Sequence, residues 1–203
     1  MILLVGAVHE ELHFWQRRDG VETLIAGVGP IEASCAVSAA LARRRYDLVV
    51  NAGIAGALDG ARIGDGVVVA DDEIELDREN GDPLALPLGA EIVARATSDA
   101  ELVARLIERG FPALRGITVT RVTASNATAR RLRARGAQVE SMEGFAMLRA
   151  AARAQVPAIE LRGISNRCGD QASSGWDFGA GIAGLRRVAD ALFEIVAVGK
   201  MNQ

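Results

Sequence analysis

The sequence predicts a single α/β domain over residues 1–203, with a central mixed or parallel β-sheet covered by helices on both faces. Short β-branched runs alternate with alanine-rich stretches of helical length. The runs are apolar throughout instead of alternating, as strands buried on both sides require. The chain is also long enough, at 203 residues, to bury a sizeable core. Half the residues are apolar but only 4% are aromatic, so Ala, Val, Leu and Ile must fill that core.

Taken in order, ILLVGA (2–7) opens as a strand and HEEL starts a short amphipathic helix over 9–17. A second strand at 22–27 ends in GVG (27–29), a tight turn into the helix that Pro30 opens and that runs to 44. DLVVNA (47–52) is the third strand, leaving through the glycine-rich NAGIAGA (51–57), and GVVVAD (66–71) is the fourth. Residues 72–97, with Asp, Glu, Gly81 and two prolines, interrupt the pattern as an excursion or flap. Helices at 98–110, 126–135, 143–154 and 178–198 then alternate with strands at 115–122, 137–141 and 157–164. No internal repeat or low-complexity linker divides the chain.

A net charge of −3 offers no electrostatic case for nucleic acid or an anionic membrane as partner. No apolar run approaches the roughly 18 residues of a membrane span. The opening MILLVGAV lacks a basic n-region and reads as a strand, not a signal peptide. Cys35 and Cys168 lie far apart without CxxC spacing and are expected as buried, reduced thiols, which implies a cytoplasmic protein.

Four stretches carry chemistry. His9-Glu10-Glu11-Leu12-His13 matches the zincin pattern H-E-x-x-H, but it follows the first strand directly and these are the only two histidines. Solvent-facing histidines on a short helix are the expectation, with no metal. GVG lacks the third glycine of a dinucleotide fingerprint, Glu32 standing there instead, and no cofactor is expected. In QVESMEGFAM (138–147) a strand ends in acidic residues beside Met142 and Glu143. Glu143 either complements a helix dipole or accepts hydrogen bonds from sugar hydroxyls, with Met142 packed on the ring. LRGISNRCGD (161–170) brings Arg162, Ser165 and Asn166 to a strand exit. Four glycine- or polar-ended strands in one chain point to a composite site at the sheet's carboxyl edge.

GAVHEEL, GVG with NAGIAGAL, IGDGVVVAD, VESMEG and RGISN, in this order, resemble the purine nucleoside phosphorylase and methylthioadenosine/S-adenosylhomocysteine nucleosidase family, and within it the futalosine hydrolases. The resemblance covers about residues 1–71 and 115–180. It implies a three-layer sandwich with a central mixed sheet and a homodimer or larger homo-oligomer. The implied reaction is hydrolysis of a purine nucleoside. Glu11 would activate the attacking water, as a carboxylate near its ordinary pKa, and Arg162 would pin that water or steady Glu11. Met142 and Glu143 would hold the ribose, Ala55 and Gly56 would offer backbone beside sugar and base, and Ser165 would support Asn166.

Relatives acting on adenine nucleosides carry Ser-Asp where this chain has Ser165-Asn166, while futalosine hydrolases resemble it in using Asn and in a tryptophan shortly after, here Trp176. An asparagine can donate its amide to the oxygen of a 6-oxopurine and accept from a protonated N7. Alternatively, Asn166 caps a turn before Gly169. Neither GAVHEEL nor NAGIAGAL contains the arginine that a phosphate pocket needs, which favours water as nucleophile. The resemblance therefore implies futalosine cleavage to hypoxanthine in menaquinone synthesis. An adenine-nucleoside hydrolase and a non-catalytic nucleoside sensor are the alternatives.

Overall fold

The computed structural model describes residues 1–16, 18–76, 90–170 and 175–201. Its elements follow in the order β1 (Ile2–Gly6), α1 (His9–Leu12), β2 (Val21–Ile25), α2 (Pro30–Arg43), β3 (Leu48–Ala57), β4 (Gly66–Ile74) and β5 (Arg95–Thr97), continuing with α3 (Ala100–Glu108), β6 (Ala113–Thr118), α4 (Asn126–Ala134), β7 (Val139–Ser141), α5 (Gly144–Arg153), β8 (Ala158–Arg167) and α6 (Phe178–Met201). One mixed sheet runs β2-β1-β3-β7-β6-β4-β5, and β8 bridges β3 and β4. β1, β2, β3 and β8 run parallel, and β3 meets β7 antiparallel only at Gly56 and Ala57. Through these pairings β3, β8, β4, β6 and β7 close on one another, which curls this end of the sheet toward a barrel.

The sheet is covered on both sides, as its unbroken apolar strands require. On one side α6, with α1 and α3, closes over Leu4, Val50, Val68 and Leu161. On the other, α2 and α5, the latter through Met147 and Leu148, pack over Leu3, Val5 and Val49. α6 approaches very closely: a Cβ on Gly66 would stand 2.3 Å from the carbonyl oxygen of Gly184. Among the described residues no helix is long and apolar enough to cross a membrane.

The expected elements form, with four instructive differences. α1 is a single turn, not a helix to 17, because Phe14 and Trp15 leave it to pack on the α6 side. Trp15 lies 4.2 Å from the Phe193 ring centroid. NAGIAGA is not a turn but the second half of β3, since β8 pairs with that strand from Val49 to Ala57, with one register shift between Ala55 and Gly56. The 72–97 stretch holds the end of β4 and the short β5, paired at Asp71–Thr97 to Glu73–Arg95; the rest of that expected flap, 77–89, lies outside the described residues. Finally, the cysteines are unpaired but not both buried: Cys35 is exposed on α2 and Cys168 is partly buried.

Candidate active site

At the carboxyl ends of β1, β3 and β8, flanked by the β2 exit and β7, lies a cavity of about 670 Å³ counting its open mouth. Seven of the eight residues singled out from the sequence line it: Glu11, Ala55, Gly56, Met142, Glu143, Ser165 and Asn166. The eighth, Arg162, lies behind the wall at 1% exposure.

Glu11 is turned inward by the single turn of α1, while His9, Glu10 and His13 stay in solvent. Its Oε2 accepts from the backbone N–H of Ala7 (2.7 Å) and its Oε1 from that of Ile54 (2.9 Å), so one carboxylate joins the exits of β1 and β3. Burial raises the Glu11 pKa from its ordinary value; the Arg162 guanidinium and these backbone donors pull it down only in part. The expectation of an ordinary pKa is corrected accordingly. Among the described residues no group of three His, Cys, Asp or Glu side chains is arranged to hold a metal.

Glu143, at the N-cap of α5, is also buried. Its Oε1 accepts from the Gly29 N–H at 2.9 Å, and its Oε2 lies 3.9 Å from Arg162 Nη1. The GVG turn thus supplies a donor to the acid of VESMEG. Gly27 and Gly29 adopt φ of 87° and 98°, a conformation that glycine alone takes freely. Arg162 Nε donates to Glu160 Oε1 at 2.8 Å and Nη1 to the Ile54 carbonyl at 3.4 Å. Burial by itself would lower the Arg162 pKa, but Glu160, Glu143 and Glu11 outweigh it, and the guanidinium stays charged.

The wall that carries Asn166 depends on a bulge. Ala55 pairs with Ile164 but Gly56 pairs with Asn166, leaving Ser165 as the extra residue of β8. That step re-aims Asn166 toward the Gly56 position, where a Cβ would lie 3.1 Å from its amide nitrogen. Ser165 Oγ donates to Asn166 Oδ1 at 2.9 Å. This leaves both amide N–H groups and one carbonyl lone pair available to a ligand. Trp176, 47% exposed, Phe178 and Val28 form an apolar rim.

Glu140, next to Gly56 on β7, was not singled out. It lines the cavity and accepts from Thr123 N (2.9 Å) and the Thr123 hydroxyl. The acidic end of β7 in VESMEG was its signal.

The phosphorylase superfamily profile matches residues 9–197. Solved structures with the same fold include the 5′-methylthioadenosine/S-adenosylhomocysteine nucleosidase of Neisseria meningitidis, with a TM-score of 0.81 at 17% identity over 95% of this chain and 97% of that one. The futalosine hydrolase of Helicobacter pylori gives 0.80 at 17% identity, over 95% and 97%. Fold and site together define an N-glycosidic hydrolase of the nucleosidase class. In sequence, the chain is 37% identical over 199 residues to the futalosine hydrolase of Streptomyces coelicolor, covering 91% of this chain and 83% of the relative. It is 41% identical over 182 residues to that of Acidothermus cellulolyticus, covering 84% and 74%. The chain belongs to the phosphorylase superfamily and, within it, to the futalosine hydrolase family.

Gly53→Ala tests the geometry without replacing a polar side chain. A Cβ there would stand 2.4 Å from Arg162 Nη1 and 2.6 Å from Glu11 Oε1. Gly53→Ala should therefore lower kcat/KM by about 10²-fold per folded molecule, the cost of a misplaced reacting group. Steady-state kinetics alongside circular dichroism measures this; an unchanged rate would refute the packing described.

Proposed function

We propose that this enzyme hydrolyses the N-glycosidic bond of futalosine, releasing hypoxanthine and dehypoxanthinyl futalosine in menaquinone biosynthesis. The observation that carries the reading is the Asn166 amide, tethered by Ser165 so that it offers a donor and an acceptor side by side. The identities to two relatives named futalosine hydrolase support the same substrate. Departure of the base leaves negative charge on it, relieved by a proton at N7. Asn166 donates to the oxygen at position 6 and accepts from N7–H, a pairing complete only once N7 is protonated. It therefore favours the leaving base over the bound substrate. An amide cannot supply that proton, so water delivers it.

On the sugar side Glu11 takes a proton from the water that attacks the anomeric carbon. Glu143 accepts from the ribose hydroxyls, Met142 packs on the ring, and Ala55 and Gly56 present backbone beside sugar and base. Arg162, buried out of the cavity, acts by steadying Glu11 and Glu143 instead of by touching substrate. Two carboxylates beside the sugar also stabilise the positive charge that develops as the bond breaks. Among the described residues the cavity wall brings no arginine to a phosphate position, which supports water as nucleophile. A homo-oligomeric, cytoplasmic enzyme without nucleic-acid or membrane partners completes the reading. It is supported by the exposed Val28 and Ile31 near the cavity mouth, the unpaired cysteines and the small net charge.

Because a general base must be ionised, a raised Glu11 pKa moves the acid limb of kcat/KM to higher pH than a free glutamate would give. Rate falls as pH drops through it. Glu11→Gln should lose about 10²–10⁴-fold in rate, whereas the exposed Glu10→Gln should keep most of it. Equal losses in the two variants would reassign the base.

Asn166→Asp tests the substrate. An ionised Asp repels the oxygen at position 6, and a protonated one spends its only proton there. The mismatch costs about 1–3 kcal/mol, or one to two decades in rate. The ratio of hypoxanthine to adenine release from matched nucleosides should fall in the variant. An unchanged ratio would remove Asn166 as the reader of the base.

A further inference from the structure

Behind the cavity, on the side away from the sugar, lie two carboxyl groups that the reaction does not use. Asp72 on β4 and Glu160 on β8 are both fully buried. Their strands are antiparallel neighbours, with Glu160 paired to Val69. Their side chains converge on Gly144, the first residue of α5. A Cβ there would lie 2.4 Å from Asp72 Oδ2 and 2.6 Å from Glu160 Oε2. Those same two oxygens, Asp72 Oδ2 and Glu160 Oε2, have no hydrogen-bond partner. The other oxygen of each is engaged. Asp72 Oδ1 accepts from Thr118 Oγ1 at 2.7 Å, and Thr118 Oγ1 in turn accepts from the N–H of Phe145 at 2.8 Å. Glu160 Oε1 accepts from Arg162 Nε.

Two buried carboxylates converging on the same spot repel when both are ionised, and each leaves an unsatisfied acceptor. One proton removes both penalties. The charged groups around the pair make the same demand: among the described residues Arg162 is the cation that faces Glu160, Glu143, Glu11 and Asp72, so four ionised carboxylates would outweigh it.

We propose that Asp72 and Glu160 share a proton carried on Asp72 Oδ2, and that this pair is a positioning device that fixes Arg162 against Glu143 and Glu11. The proton sits on Asp72 because Arg162 donates directly to Glu160 and holds it ionised. Burial and the neighbouring Glu160 charge both push the Asp72 pKa well above the usual range, while Glu160, also raised by burial, is drawn back by Arg162. With the proton in place, Glu160 neutralises Arg162 at its Nε edge. Nη1 is left directed toward Glu143 and the Ile54 carbonyl. Glu11 and Glu143 then face the sugar as two carboxylates whose charge the arginine only partly cancels. The catalytic consequence rests on the nucleosidase reading above; the proton does not.

The first test is an infrared spectrum of the ligand-free enzyme at neutral pH. A protonated carboxyl should give a carbonyl-stretch band that shifts down in D₂O and is absent from Asp72→Asn. The second is kinetic. Asp72→Asn keeps an acceptor for Thr118 and a donor for Glu160, so it should restore the rate that Asp72→Ala loses, roughly tenfold or more in kcat with KM little changed. Glu160→Gln frees the arginine's charge to act on Glu11, so the acid limb of kcat/KM should move to lower pH. A purely structural role would not move it. If Asp72→Ala does not fold, the Glu160→Gln profile decides the kinetic arm. Absence of the band, or an acid limb unmoved in Glu160→Gln, would overturn the proposal while leaving futalosine cleavage standing. A band present in an enzyme that releases no base would overturn the nucleosidase reading and leave the shared proton intact.

Discussion

A fully buried guanidinium must have its charge met by the protein, because nothing else is within reach to solvate it. Arg162 is in that position at the centre of the sheet, and the cavity is organised by how its charge is met. Glu160 takes the Nε edge, the Ile54 carbonyl and Glu143 the Nη1 side, and Glu11 stands beside it. Gly53 carries no side chain because Arg162 and Glu11 occupy that space. Gly29 adopts its positive φ to donate to Glu143, the acid nearest Nη1. Three strands, one helix turn and two glycine positions are thus arranged around the Nε and Nη1 sides of one side chain, whose Nη2 has no hydrogen-bond partner among the described residues.

The sugar and base halves of the cavity are built in different ways. The half proposed to hold the sugar is electrostatic: two buried carboxylates, Glu11 held by the N–H groups of Ala7 and Ile54 and Glu143 by that of Gly29, beside the charged Arg162. Such groups need no reorganisation when positive charge develops next to them. The half proposed to hold the base is a hydrogen-bonding wall made by a bulge in the sheet. The extra residue Ser165 breaks the pairing of β3 with β8, turns Asn166, and then tethers it through its hydroxyl. A change of base specificity can therefore come from one residue at the bulge without disturbing the arginine network.

Much of this was legible in the sequence, for physical reasons that can be named. Apolar runs and glycine exits marked the strands and the edge where they end. The acids in VESMEG and the polar RGISN stood out because strand ends seldom carry such groups without use. The inward turn of Glu11 was not legible from periodicity; only the resemblance distinguished it from Glu10. The β3–β8 pairing was missed because NAGIAGA has the composition of a turn, and pairing with a distant strand overrides local glycine content. The β8 bulge is likewise a matter of register, which no single strand reveals. Glu160 carried an overlooked signal, an acid inside the apolar run AIEL, where only a partner such as Arg162 makes burial tolerable. Asp72 is harder to see, because its partner lies 88 residues away on another strand.

The central claim is that a buried carboxylate–arginine network and an amide reader together make a hydrolase for a 6-oxopurine nucleoside. The most direct measurement is chromatography of products from the purified wild-type enzyme given futalosine, inosine and methylthioadenosine in competition, with and without phosphate. The account predicts hypoxanthine and dehypoxanthinyl futalosine as the leading products, at a rate indifferent to phosphate and with no sugar phosphate formed. Preferential release of adenine, or a sugar 1-phosphate that appears only with phosphate, would contradict it.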